Sequence, residues 1–354
     1  MKSVLVLEDG TYFTGEAFGK AGEVVGEIVF NTCMTGYQEI LTNPSYSGQI
    51  VAMTYPLIGN YGFNRYDNES DRTHVQGFIV KELSDTPTNW RCEITPDEYF
   101  VANGIVGIKG IDTRTLTKHI RSKGSMYGII STESGNIDLL LEKLAKKKME
   151  KKNAVMEVST KSPIHKPGRG KRVAVIDFGV KQSIIKALEK MNCDIYILPA
   201  SSPANEIMSY NPDGILLSNG PGDPSELPFV KSTVQELIGK KPILGIGLGH
   251  QLLGLALGGK VIKLPFGHHG ANQPVRDFIK GRCYVTSQCH NYALENDFSD
   301  DILVTHININ DNTVEGFKHK HYPVVGVQYH PKAVLGQDDS SYIFDDFIKM
   351  MDNL

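Results

Sequence analysis

Apolar strand-like runs alternate with helical segments through the second half of the chain, and this alternation restricts the fold more than any other feature. It begins after Arg172, where Val173–Asp177 has the apolar character of a buried strand. Strands and helices that alternate at this length indicate a parallel sheet with right-handed crossovers, and catalytic groups in such sheets gather at the carboxyl ends of the strands. The predicted strands are 173–177, 194–198, 214–217 and 242–246, and the predicted helices are 181–191 and 230–238.

Short β-type runs broken by glycine, proline and asparagine fill the first part of the chain, and they predict a β-rich domain with a few helices. A helical stretch over Asp138–Lys152 follows, and a polar segment then continues through Lys171. We therefore predict a β-rich α/β domain over 1–150, a linker over 151–171 and a second α/β domain over 172–354. The predicted strands of the first domain are 4–7, 26–30, 50–54 and 77–80.

The charge balance is nearly even, with 37 basic and 40 acidic residues among 354, which argues against nucleic acid and anionic membranes as partners. No apolar run approaches the roughly 20 residues of a membrane span. The N-terminus reaches Glu8 and Asp9 too early for a signal peptide, so we predict a cytoplasmic location. Five scattered cysteines without a C-x-x-C pair predict neither a disulfide framework nor a zinc site, but they leave a catalytic thiol open.

The most informative segment is Gly245–Gln251, with the sequence GIGLGHQ, which lies between a predicted strand and an apolar helix. One interpretation is a dinucleotide fingerprint, and hence a dehydrogenase, but that motif requires glycine where His250 stands. The other interpretation is a nucleophile elbow, a sharp strand-to-helix turn that exposes its central side chain. The central residue here is Gly247, which has no side chain to expose.

Two further segments follow apolar strands. Leu217–Pro224 is rich in glycine and proline, so its backbone N–H groups could approach a ligand closely, or it could be only a turn. The segment Val325–Lys332 includes His330, a residue type suited to general base catalysis near neutral pH. A structural histidine is the alternative interpretation at that position.

Together the three segments resemble the class I, triad-type glutamine amidotransferase domain, whose elbow reads G-I-C-L-G-H-Q and whose base lies in H-P-E. Other motifs extend the resemblance over nearly the full length, to the family of small, glutamine-hydrolysing chains of carbamoyl-phosphate synthetases. The N-terminal motifs separate this family from other amidotransferases. The additional matching segments are Leu7–Gly10, Phe30–Thr32, Met34–Ser47, Asp112–Thr117, Asp177–Gly179 and Phe266–Asn272.

The resemblance implies a mechanism and a partner. In the family a cysteine thiolate attacks the side-chain amide of glutamine, a histidine moves the proton and a glutamate orients the histidine. Ammonia then passes through a tunnel to a large subunit, which uses ATP, Mg²⁺ and bicarbonate for arginine or pyrimidine synthesis. The resemblance therefore implies no cofactor in this chain, a heterodimer with the large subunit and a higher oligomer of heterodimers as an open alternative.

The resemblance also assigns site residues, position by position. His330 takes the place of the general base, Gly247 that of the nucleophile and Lys332 that of the orienting glutamate. Backbone N–H groups of Leu248 and the glycine loop would form the oxyanion hole. The implied glutamine-binding positions are Ser45, Gly220, Gly222, Leu248, Gln251, Gln288, Cys289, Asn291 and Tyr292.

Two of the three triad positions depart from the family pattern. A glycine cannot form a thioester, so Gly247 predicts a weak or absent glutaminase. Lys332 replaces a negative group with a positive one, which would lower the pKa of His330 if the two are close. The binding positions differ too, because Cys289 stands where asparagine is usual and Asn291 where glycine is common. The joint loss suggests relaxed constraint.

Three alternative interpretations of the sequence are also open. Cys289 could serve as a substitute nucleophile, but it lacks an elbow, and a bystander thiol is the more ordinary interpretation. His268 and His269 could suggest a metal, but adjacent residues of a strand point to opposite faces, so we predict no metal site. Finally, the chain could be a non-catalytic structural or regulatory partner, or an interaction protein that has lost both glutamine and the synthetase.

Overall fold

The computed structural model describes residues 1–150, 153–331 and 340–352. The chain forms two compact units: residues 1–152 with 265–269 make the first, and 153–264 with 270–354 make the second. In the described part of the chain, no helix combines the length and the apolar content that a membrane span needs.

Seven strands of the first unit hydrogen-bond in a closed ring, in the order β1-β2-β8-β6-β4-β3-β9. The apolar side chains of this ring, such as Leu5, Ile28 and Ile108, form the interior of the unit. The strands are β1 Lys2–Leu7, β2 Tyr12–Gly19, β3 Glu23–Asn31, β4 Gln49–Met53, β5 Leu57–Ile58, β6 Gly77–Ile79, β7 Glu82–Leu83, β8 Val106–Lys109 and β9 Met126–Ser131; the helices are α1 Tyr37–Leu41, α2 Pro96–Ala102, α3 Thr113–Lys123 and α4 Ile137–Lys148.

Helix α3 shows how local sequence signals become packing. The side chain of Asp112 accepts a hydrogen bond from the backbone N–H of Thr115 at 2.9 Å, which caps the helix start. Gly124 ends the helix with a φ of 95°, a conformation that glycine adopts without strain. Between these ends, Leu116 and Ile120 are spaced four residues apart, so both face the core of the ring.

The second unit is a ten-stranded sheet, in the order β10-β12-β11-β13-β14-β19-β18-β16-β15-β17. Its elements are α5 Ala154–Val158, β10 Ile164–Lys166, β11 Arg172–Asp177, α6 Gln182–Lys190, β12 Asp194–Pro199, α7 Ala204–Ser209, β13 Gly214–Leu217, α8 Pro228–Leu237, β14 Ile243–Ile246, α9 Leu248–Ala256, β15 Val261–Asp277, β16 Arg282–Leu294, β17 Ile302–Asn308, β18 Val314–His319, β19 Val324–Val327 and α10 Tyr342–Asp352. Residues 265–269 of β15 belong to the first unit.

The strands β12, β11, β13, β14 and β19 are parallel and form the centre of the sheet. Helices α7, α8 and α9 cover one face, where Ile207 and Leu252 pack against the sheet. Helices α6 and α10 cover the other face through residues such as Leu188 and Phe347. Because both faces are covered, the central strands are apolar throughout, and this explains the runs in the sequence. The predicted parallel sheet flanked by helices is confirmed.

The segment 151–171, predicted as a linker, contains regular structure in its described part. Helix α5 lies there, and β10 pairs antiparallel with β12, with Ile164 opposite Ile197. The pairing gives the backbone of β10 hydrogen-bond partners at the edge of the sheet, which the polar composition of the segment did not reveal. The structure counts this segment, from residue 153 on, with the second unit.

Candidate functional site

Parallel strands bring the candidate residues of the second unit to one edge of its sheet. Strands β11, β13, β14 and β19 run in the same direction, so their carboxyl ends lie together. The loops that follow these ends contain Lys181, Ser218–Gly222, Gly247 and His330. This is the edge at which open α/β sheets bind ligands.

Gly247 forms the turn between β14 and α9, with φ 58° and ψ −113°. Its backbone N–H donates to the carbonyl oxygen of Val327 at 2.9 Å, which ties the turn to β19. The neighbouring Gly249 lies so close to β13 that a Cβ there would stand 2.1 Å from the carbonyl oxygen of Leu217. The chain thus has the strand–turn–helix geometry of a nucleophile elbow, with no side chain at its centre.

The space beside Gly247 is large enough for a side chain to begin. An ideal Cβ at this position would lie 3.4 Å from Cβ of Asn219 and 3.9 Å from the carbonyl oxygen of Gln328, which are ordinary van der Waals distances. The positive φ would strain any residue other than glycine. The backbone therefore keeps the conformation of an elbow although no nucleophile requires it.

The glycine loop after β13 is fixed to the loop after β11. Asn219 Nδ2 donates to the carbonyl oxygen of Gly179 at 2.8 Å, and Asn219 Oδ1 accepts from the backbone N–H of Lys181 at 3.2 Å. Gly220 lies so near Phe178 that a Cβ would stand 2.3 Å from its carbonyl oxygen. Only glycine fits there, so the loop after β13 packs directly against the backbone of the loop after β11.

His330 follows the end of β19 and is 4% exposed. Its backbone N–H donates to the carbonyl oxygen of Ser287 at 2.9 Å. Among the described residues, neither ring nitrogen has a hydrogen-bond partner. Burial, and then the charge of Lys181, lower the pKa of His330 well below its ordinary value. The imidazole of His330 is therefore neutral at neutral pH and a weak base. Lys332, which was predicted to lower the same pKa if it lies close, is outside the described residues.

Lys181 is a residue of this candidate region that the sequence interpretation did not single out. It lies at the start of α6 and is buried, which is rare for lysine. Asp177–Gly179, just before it, is one of the motifs of the resemblance, and this was the available signal. That its charge acts on His330 follows only from the folded arrangement.

The predicted glutamine-binding residues of the second unit lie on α9, on β16 and in the glycine loop. Leu248 begins α9 and is buried, and Gly222 has a φ of 90°. Gln251 Nε2 donates to the carbonyl oxygen of Tyr292 at 2.7 Å and to Gln328 Oε1 at 2.9 Å. The amide of Gln251 therefore joins α9 to β16 and to the end of β19.

The other predicted positions on β16 are differently exposed. Asn291 is buried, and Cys289 is half-buried in the middle of the strand rather than on a turn. Gln288 is buried, with Nε2 donating to Thr286 Oγ1 at 3.1 Å and Oε1 lying 3.1 Å from His290 Nε2. The roles of these residues in glutamine binding remain predictions.

Ser45, His268 and His269 belong to the first unit. Ser45 is buried in a short helical turn, where its backbone N–H donates to Asn43 Oδ1 at 3.0 Å. The carbonyl oxygen of His269 accepts from the backbone N–H of Thr32 at 3.0 Å. The predicted role of Ser45 in glutamine binding and the predicted lack of a metal site remain predictions.

Comparison with known proteins extends these observations. The profile of the family "Carbamoyl-phosphate synthase small chain, CPSase domain" matches residues 5–130, and that of "Glutamine amidotransferase class-I" matches residues 174–350. A solved structure of a glutamine amidotransferase from Thermotoga maritima is 20% identical and covers 46% of this chain and 76% of its own, with a TM-score of 0.37.

Two curated relatives match over the full length. The carbamoyl phosphate synthase small chain of Syntrophotalea carbinolica is 49% identical over 99% of this chain and 98% of its own. The carbamoyl phosphate synthase pyrimidine-specific small chain of Bacillus subtilis is 48% identical over 99% of this chain and 96% of its own. These matches confirm the resemblance and argue against the dinucleotide-binding alternative. The chain belongs to the carbamoyl phosphate synthase small-chain family, a part of a glutamine-hydrolysing ligase system.

Proposed function

We propose that this small chain binds glutamine but hydrolyses it weakly or not at all. It forms a cytoplasmic heterodimer with a large subunit that uses ATP and Mg²⁺ to make carbamoyl phosphate from bicarbonate and ammonia. The chain itself holds no cofactor. The pyrimidine-specific relative from Bacillus subtilis supports a role in pyrimidine synthesis, and arginine synthesis is the other use of the same product.

The observation that carries the proposal is the residue at the centre of the elbow. Gly247 has the turn geometry and the space for a nucleophile but no atom that could attack an amide. Removing a triad nucleophile lowers turnover by several orders of magnitude, because the covalent route is closed. His330 adds to the loss, since a weakly basic, buried imidazole holds a proton poorly.

The intact backbone around the elbow supports retained glutamine binding. The glycine loop keeps its position through Asn219, and Gly220 lets it pack directly against the backbone of Phe178. Leu248 provides the first backbone N–H of α9, where partial positive charge favours a polarised carbonyl oxygen. Binding and hydrolysis are thus separable here, because hydrolysis requires a nucleophilic side chain at position 247, whereas the glycine loop and the start of α9 keep their backbone positions without one.

The proposal is tested by measuring glutamate release from purified chain, alone and with its large subunit, beside carbamoyl phosphate formation from ammonia. We expect ammonia-dependent synthesis and a glutamate release several orders of magnitude below that of relatives with the cysteine. Glutamine binding is measured separately by calorimetry. Turnover at an ordinary family rate that a thiol-alkylating reagent abolishes would refute the proposal, and Cys289→Ser would then show whether Cys289 is the nucleophile.

The hydrogen bonds of Gln251 favour a second candidate, a structural or regulatory partner that does not bind glutamine. Its Nε2 already has two acceptors within the chain. Such a chain would co-purify with the large subunit and increase its stability, yet calorimetry with glutamine would give no heat. The calorimetric experiment therefore separates the two candidates, and gel filtration of the complex reports whether heterodimers associate further.

A further inference from the structure

A buried polar cluster lies where β15, β17 and α10 meet in the second unit. Its residues are not among those assigned to glutamine binding or hydrolysis. Tyr342 Oη donates to Asp277 Oδ2 at 2.7 Å and lies 2.9 Å from His306 Nε2. The other carboxylate oxygen, Asp277 Oδ1, accepts from the backbone N–H groups of Ile279 at 2.7 Å and Lys280 at 2.9 Å. Asp277 and His306 are both buried.

The backbone of two strands makes room for the imidazole. The ladder between β17 and β18 has irregularities on both sides of His306, and bulges of this kind re-aim a side chain. The residue opposite is Gly316, where a Cβ would lie 2.6 Å from His306 Nδ1. Thr305 Oγ1 lies 2.8 Å from the same nitrogen. The His306 ring is therefore held on both of its nitrogens.

The protonation states determine the direction of the bonds. Burial raises the pKa of Asp277, but hydrogen bonds from Tyr342 and the Lys280 backbone and the nearby His306 outweigh it and hold this pKa below its usual range. Burial lowers the pKa of His306. At neutral pH Asp277 is a carboxylate and His306 is neutral. A carboxylate only accepts hydrogen bonds, so the Tyr342 hydroxyl must be the donor in its hydrogen bond with Asp277.

The cluster reaches the candidate site through Tyr329. Its Oη lies 3.3 Å from His306 Nε2, and its ring meets the His306 ring edge-on, with centroids 5.6 Å apart. Tyr329 is fully buried and immediately precedes His330. The peptide bond between Tyr329 and His330 is therefore the covalent route from the cluster to the candidate site.

We infer that Tyr342, Asp277 and His306 are positioning residues for His330, acting through the Tyr329 side chain. This inference deepens the proposed function and rests on it, because the position of His330 matters through the glutamine site that it borders. A residue with a merely structural role would affect the stability of the unit without changing the environment of the His330 ring.

Tyr342→Phe tests the inference, because it removes one hydroxyl and keeps the aromatic ring. Lys280 Nζ lies 3.1 Å from the centroid of that ring. Two measurements are made: the glutamine Kd by calorimetry, and the ¹⁵N resonances of the His330 ring, assigned with His330→Gln. We expect the Kd to rise about fivefold or more, as for other couplings through a shared hydrogen-bond network, and the ring resonances to shift. Tyr322→Phe, at an exposed tyrosine of the same unit, should change neither.

Tyr329→Phe is a second variant, which cuts the link to His306 but leaves the bond between Tyr342 and Asp277 in place. It should shift the same His330 resonances, and it keeps the test open if Tyr342→Phe does not fold. Unchanged Kd and unchanged resonances in either folded variant, even with a lower melting temperature, would overturn the inference. If the unmodified chain binds no glutamine, the proposed function fails, and the resonances alone still decide the positioning role.

Discussion

At the scale of single residues, Gly247 has the backbone of a nucleophile elbow and no side chain. Its φ of 58° and ψ of −113° are strained for residues with a side chain and relaxed for glycine. With glycine at this position, the turn has the shape of an elbow without the strain that a side chain would bring.

A side chain at position 247 should strain the turn, and a thiol there should supply a nucleophile. Gly247→Cys and Gly247→Ala should each lower the free energy of unfolding by about 1–3 kcal/mol, because both place a Cβ on a positive φ. Only the cysteine variant should gain glutamate release, while Gly247→Ala controls for strain. Urea unfolding and a glutamate assay measure the two effects. Equal stability of all three proteins would contradict the strain argument, and a silent cysteine variant would show that restoring the nucleophile alone does not restore turnover.

At the scale of elements, helix α9 packs closely because its glycines lie against neighbouring strands. A Cβ at Gly249 would meet the carbonyl oxygen of Leu217 at 2.1 Å, which is backbone of the adjacent β13. A Cβ at Gly254 would meet the end of the Leu294 side chain at 2.5 Å. The Leu217 carbonyl is fixed by the sheet, whereas the Leu294 side chain can rotate away.

The two glycines of α9 form a matched pair for mutation. Both variants replace a glycine of one helix by alanine, which favours the helix by up to about 1 kcal/mol, so a larger difference between them reports packing. We expect Gly254→Ala to cost about 1–3 kcal/mol through overpacking and Gly249→Ala to cost more or to prevent folding. The midpoints of urea unfolding rank the stabilities of the two variants. A Gly249→Ala protein as stable as Gly254→Ala would show that the helix can move away from β13.

At the scale of the whole molecule, buried neutral histidines make stability depend on pH. Burial lowers the pKa of His74 to about 4 and that of His250 to about 3, and it lowers that of His330 as well. The first histidine lies in the first unit and the other two in the second. Each group binds a proton more readily in the unfolded chain, whose histidine pKa is about 6.5.

The sign of the pH effect follows from these shifts. The contribution of each histidine is complete above about pH 6.5 and falls as the pH drops, by about 1.4 kcal/mol per pH unit and group, until the folded pKa is reached. Urea unfolding between pH 7.5 and 5 should show this decline in both units. His250→Asn should weaken the decline for the second unit only, and a stability that is constant over this range would contradict the prediction.

Much of the fold was predictable from the sequence, because its signals are local. The apolar runs of β11, β13 and β14 are continuous since both faces of these strands are covered, and the periodic helices between them leave few topologies open. The edge strand β10 was not predictable, because Ile164–Lys166 is polar and becomes a strand only by pairing with β12. The elbow was predictable from the glycines around Gly247, which the sharp turn requires.

The sequence by itself determined the fold class, the family and the absence of a nucleophile at position 247, since each depends on which residue stands where along the chain. Only the tertiary structure decided that Lys181 acts on His330 and that Asp277, His306 and Tyr342 form one buried network. The physical reason is that burial and electrostatic contact join residues far apart in the chain, and no local pattern records which distant side chains will meet.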